Sequence, residues 1–195
     1  MVDIERQLEE KVKNSGADVL LNHWQIIKKA IPYKLAAISQ IFPHYSFHDE
    51  SHSKAILANI SKILGEKRIE LLSDTDLWLV LCSAYCHDIG MYVVGVEEWE
   101  LFEASDFLNY IEKQQQDRSS SLSLYANQFI IDKSNNQVIC KERELSAESF
   151  RAADFLVSDY IRTKHSVRSK TEIQRNSTIN IMSERISKRL IGILS

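Results

Sequence analysis

Apolar residues recur along this chain at helical spacing almost from its first residue. Ile4, Leu8 and Val12 lie one turn apart and predict a short amphipathic helix that Asn14, Ser15 and Gly16 interrupt. Over 17–30, Leu20, Leu21, Trp24 and Ile27 form an apolar face with Lys28 on a basic edge. Pro32 suits the first turn of a further helix, which carries Leu35, Ile38 and Ile41 until Pro43 stops it. The aromatic, histidine-rich stretch 42–50 reads as a loop. A helix over 51–64 turns Ile56, Ile60 and Ile63 inward and closes at Gly65, and a shorter one covers 66–72.

Ser73, Asp74, Thr75 and Asp76 offer N-caps for the most apolar helix, 77–87, with Gly90 as its stop. An acidic surface helix is expected over 97–111. Low-complexity residues 114–121 read as a flexible loop, 122–132 as helical and 133–137 as a turn-rich break. Residues 146–163 predict a strong helix with Phe150, Ala153, Phe155, Val157 and Ile161 towards the core. A last helix over 179–194 is capped by Asn176 or Ser177. The expected fold class is all-α, one compact multi-helix bundle spanning 1–195.

Composition agrees. Five Gly and two Pro in 195 residues are too few for a turn-rich sandwich or barrel. A hydrophobic share of 44% with 26% charged residues is ordinary globular usage. The net charge of −3 gives no strong footprint for nucleic acid or an anionic membrane. A small phosphorylated substrate stays compatible with it, because a bound divalent cation supplies local positive charge. Three cysteines, an odd number, fit a reducing compartment, with Cys82 and Cys86 as small core residues. No signal peptide is visible in the acidic N-terminal stretch. The longest apolar run, 77–85, is too short to span a bilayer, so a soluble, cytoplasmic protein is expected.

The candidate chemistry lies in the histidines. His48 and His52 are four apart and share a helix face if the helix starts early enough. His87 and Asp88 end the apolar helix. Adjacent helical side chains diverge by about 100°, so this pair reaches one ion only where the helix is ending. His165 is read as following a helix end. Two imidazoles with a carboxylate suit a divalent ion of borderline hardness. His48-Asp49 is a second His-Asp dipeptide, but only 87–88 terminates a run of buried-looking residues. The bland alternative has Asp88 capping a neighbouring helix and His87 packed in the core. His23, beside Trp24, reads as structural, and His44 as a surface or packing residue.

His52-Ser53-Lys54-Ala55-Ile56 and Tyr85-Cys86-His87-Asp88-Ile89-Gly90 resemble the two signatures of the HD superfamily of metal-dependent phosphohydrolases. The resemblance runs over about 42–170. Asp159-Tyr160-Ile161-Arg162, leading into His165 and Arg168-Ser169, resembles a bacterial subgroup that often precedes an Hsp90-like ATPase domain. No Gly-Tyr-Pro segment follows, so the cyclic-dinucleotide branch is not indicated.

The resemblance implies His52, His87 and Asp88 as metal ligands, with His87 and Asp88 also catalytic. It implies His48 and His165 as further ligands where two ions are bound. The ions implied are Mn, Fe, Ni, Zn or Mg, one or two of them. For the late aspartate of the family Asp159 and Asp154 are both candidates. Relatives place it beyond the end of this chain, which is therefore read as either a fragment or a protein with an incomplete site. Lys54 and Arg168 are expected to contact a substrate phosphate. The implied function is hydrolysis of a nucleotide or other phosphoester through a metal-activated water. The alternative is a non-catalytic HD-type module that binds a nucleotide or partner, such as an ATPase domain. A plain helical interaction domain docking through 97–111 is the third reading.

Overall fold

The computed structural model describes residues 3–44, 49–93, 100–141 and 146–175. The expected helix over 179–194 and His48 lie outside them. The fold is all-α, a helical bundle with one small two-stranded sheet. Two compact units are distinguished: one takes the chain up to Tyr92 and again from His165, the other Val93–Lys164.

In the first unit, α1 (Ile4–Ser15) starts at the Asp3 cap and buries Ile4, Leu8 and Val12, as their spacing predicts. It ends at Gly16, whose φ of 71° is a left-handed conformation that glycine adopts without strain. The helix α2 (Asp18–Ile41) runs straight through Pro32, so the expected break there is corrected. Pro32 has no N–H for the Lys28 carbonyl. However, Trp24, Ile27, Ile31, Leu35 and Ile38 form one continuous buried stripe across it, and that burial outweighs the lost hydrogen bond.

Asp49 caps α3 (Glu50–Leu64) by accepting from the amides of Ser51 and His52. Its innermost positions are the small Ser53 and Ser61, while Ile63 is 77% exposed, contrary to the isoleucine face expected there. After α4 (Glu66–Leu71), a reciprocal Ser73–Asp76 capping box opens α5 (Asp74–Cys86). This helix packs on α1, α2 and α3 and buries Leu77, Trp78, Leu81, Cys82, Ala84, Tyr85 and Cys86. Burial nearly all round makes it the central helix. Burial also pushes the Cys86 thiol up to about 12, so both helical cysteines are inert core residues.

The second unit corrects three expectations. The one surface helix expected over 97–111 is interrupted: 97–99 lie outside the described residues, Glu100 and Leu101 are helical, and 102–104 are not. There follows α6 (Ser105–Gln116), with Phe107, Leu108 and Ile111 buried. Residues 114–116 are its last turn. The turns after it are hydrogen-bonded through Asp117 to Ser119 and through Ser120 to Gln114. The expected helix over 122–132 is a single turn, α7 (Ser123–Ala126), followed by β1 (Phe129–Asp132). Antiparallel β2 (Gln137–Cys140) pairs Ile130 with Ile139 and Asp132 with Gln137. Asp132 ties the connecting turn by accepting from Ser134 and Asn135, which holds its carboxyl low at about 2.

The last described helix, α8 (Ala147–Arg175), continues twelve residues past the expected end at Thr163. In the second unit it buries Ser149, Ala152, Leu156, Val157 and Tyr160, whereas Phe150 is 47% exposed rather than inward. Among the described residues no helix is long and apolar enough to cross a membrane.

Candidate metal centre

Two helix ends of the first unit meet at this site. Asp49, through its cap, fixes the first turn of α3 and with it His52. At the other side α5 ends at Cys86, and the chain turns through Asp88 at φ −101°, ψ 4° into a 3-10 turn, Ile89–Met91. This departure from the helical path lets two consecutive side chains converge, as the sequence argument required. The His87 Nε2 lies 2.7 Å from Asp88 Oδ2. His52 Nε2 is 3.4 Å from His87 Nε2 and 3.6 Å from Asp88 Oδ2. Gly90 is not the helix stop that was expected, since the helix has already ended before it.

The donor set fits a divalent ion. Ligands at about 2.1 Å from one cation are separated by roughly 3.0 Å at octahedral and 3.4 Å at tetrahedral angles, close to the three distances here. The side chains of His52, His87 and Asp88 are 35%, 32% and 14% exposed, so coordination positions face solvent. His87 Nδ1 is 3.2 Å from the Ala84 carbonyl, which makes Nδ1 the protonated nitrogen and leaves Nε2 as the ligand atom. The lone pair of Nε2 then faces a carboxylate oxygen at 2.7 Å. Such a contact needs a cation or a proton between the two atoms. Burial disfavours the charged His87 ring, but the hydrogen bond and negative charge of Asp88 outweigh it and raise its pKa.

Among the described residues these three form the one group of His, Cys, Asp or Glu side chains spaced to hold an ion. The other expected site residues are placed as follows. His165 lies within α8 rather than after a helix end. Asp159 belongs to the second unit, where it accepts from the Tyr110 hydroxyl at 2.8 Å and pairs with Arg162 at 2.7 Å. Asp154 is half-buried in the same unit. Lys54 is exposed and paired with Glu50 at 3.1 Å. Glu50 also accepts from Tyr85 at 3.3 Å. The guanidinium of Arg168 donates to the carbonyls of Gly90 and Tyr92, at 2.8 and 3.2 Å. Of the remaining histidines, His23 is buried and accepts from Trp78 Nε1, the structural role expected, and His44 is an exposed residue beside Phe42.

Two residues that the sequence marked only as a helix stop or as parts of a motif, with no role in the site, support it. Ser169, fully buried on α8, accepts from the Gly90 amide and donates to the His87 carbonyl, both at 2.9 Å. Gly90 lies so close to α8 that a Cβ there would stand 2.2 Å from the His165 carbonyl oxygen. Only the small size of residue 90 signals this in the sequence.

A family model described as HD-CE matches residues 42–194, most of the chain. The chain belongs to the HD-CE family. The match takes in α3, α5 and α8 together, so the elements that carry His52, His87, Asp88 and Ser169 all fall within the HD-CE region, whereas α1 and α2 precede it. No curated protein and no solved structure matches the chain significantly.

Proposed function

We propose that this HD-CE protein is a metal-dependent phosphohydrolase acting on a nucleotide or another phosphoester. The convergence of His52, His87 and Asp88 on one point carries the reading. A divalent ion held there supplies Lewis acidity towards a phosphoryl oxygen and acidifies a water. The chain's own part is to present two imidazoles in fixed orientation. Asp88, the least exposed of the three, supplies the neutralising charge. Lys54, next to the first turn of α3, is the proposed phosphate contact. Arg168 is engaged on backbone carbonyls, which favours a supporting role over substrate contact. His48 and His165 are proposed as ligands of a second ion, and Asp159 as the late carboxylate of the family. The proposal places the protein in the cytoplasm, next to an Hsp90-like ATPase domain or partner.

The test is hydrolysis of an aryl phosphodiester and a nucleotide panel after loading with manganese, nickel or iron. His87→Ala and Asp88→Ala are expected to lose that activity while keeping helical content. Full activity in both variants refutes the reading. A second reading, a binding module without turnover, is favoured by the engagement of Asp159 with Tyr110 and Arg162. It predicts a metal- or nucleotide-dependent rise in melting temperature with no turnover.

A further inference from the structure

We infer that Ser169, assisted by Arg168, is a positioning residue that creates the ligand geometry of the metal centre. The inference rests on the metal-binding reading above. In a continuing α-helix the Gly90 amide would donate to the Cys86 carbonyl, and the His87 carbonyl would accept from the Met91 amide. Neither bond is made. The hydroxyl of Ser169 takes both places, accepting from the Gly90 amide and donating to the His87 carbonyl. The Met91 amide turns to the Asp88 carbonyl instead, at 2.9 Å.

Ser169 therefore brackets Asp88 from both sides and stabilises its bridge-region backbone, φ −101°, ψ 4°. Without that backbone, Asp88 and His87 would point about 100° apart around the helix. Arg168 extends the hold to the Gly90 and Tyr92 carbonyls, which would otherwise lack helical partners. Gly90 allows the approach, because any side chain there would meet backbone atoms of α8. Neither Ser169 nor Arg168 is proposed to touch the ion. They act through the backbone that carries two of its three ligands.

The experiment titrates the full chain with Co2+ alone, reading its visible absorption and affinity, in wild type, Ser169→Ala, Arg168→Met, Ser158→Ala and His87→Ala. Loss of a residue that orients a ligand costs roughly 10–100-fold in metal affinity. Ser169→Ala is expected in that range, with a changed spectrum at saturation, and Arg168→Met in the same direction. Ser158→Ala removes another buried hydroxyl, one bonded to the Phe155 carbonyl, and is expected to keep wild-type affinity and spectrum. Wild-type affinity and spectrum in both Ser169→Ala and Arg168→Met overturn the inference alone. Should Ser169→Ala not fold, Arg168→Met decides by the same criterion. A wild type that binds no Co2+, or a His87→Ala that binds as well, sinks the metal reading and this inference with it.

Discussion

Replacing Gly90 by alanine tests the packing that shapes the turn carrying His87 and Asp88. An added Cβ would stand 2.2 Å from the His165 carbonyl oxygen, 2.4 Å from the Ser169 amide nitrogen and 2.8 Å from the Ser169 hydroxyl. Ordinary contact between heavy atoms lies near 3.5 Å, so turn and helix must part by more than roughly 1 Å. The nearest atoms are backbone, and no side-chain rotation relieves them. Overpacking of this kind costs about 1–3 kcal/mol. Parting also weakens the two Ser169 hydrogen bonds, each worth about 0.5–1.5 kcal/mol. The stiffer unfolded chain returns about 0.4–1 kcal/mol. A net loss near 3 kcal/mol lowers the melting temperature by about 6–12 °C in a chain of this length. Gly16→Ala is the control: no atom lies within 4 Å, and only its φ of 71° opposes a side chain, at about 1–2 kcal/mol. Thermal unfolding followed by circular dichroism measures both. The packing argument is wrong if Gly90→Ala melts within 2 °C of wild type, or no lower than Gly16→Ala.

Two further outcomes are expected. His23→Leu strands the buried Trp78 indole N–H, now bonded to His23 Nδ1 at 3.1 Å, and should cost about 1–3 kcal/mol in urea unfolding; an unchanged midpoint contradicts it. Asp132 should titrate near 2 rather than 3.8, because Ser134 and Asn135 hydrogen-bond its charged form. A folded-state pKa below the unfolded one means that its contribution is complete above 3.8 and is lost as pH falls through about 2. A carboxyl NMR titration with a midpoint at 3.8 removes the turn's proposed support.

The sequence made the site legible where local chemistry alone decides. Ser73 and Asp76 announce a helix start, and the apolar run behind them has to be buried. An ionisable pair at the end of such a run marks itself out. What could not be read is what depends on distant partners. Pro32 looks like a helix start until the stripe from Trp24 to Ile38 is seen buried along its whole length. The runs Phe129–Asp132 and Gln137–Cys140 are too short for periodicity to separate strand from helix. His165 and Ser169 fall in a polar stretch that reads as an ending, yet the helix continues to Arg175. Its last part packs on Gly90 through small residues and backbone atoms, which leave no hydrophobic pattern to detect.

The same three side chains admit a plainer account, in which His87 and Asp88 share a proton and no ion is involved. That account explains the 2.7 Å contact between them. It leaves the third member unexplained. The Nε2 of His52 sits 3.4 Å from one partner and 3.6 Å from the other, too far to share their proton well yet facing both. A single cation has no such difficulty, since it needs donors that surround it rather than donors that touch. The two accounts part on one substitution. His52→Ala removes a ligand if an ion is held, and should weaken Co2+ binding by tenfold or more, in the range of about 10–100-fold seen when metal sites lose support. If only a proton is shared, the His87–Asp88 contact survives that change and Co2+ affinity does not depend on residue 52.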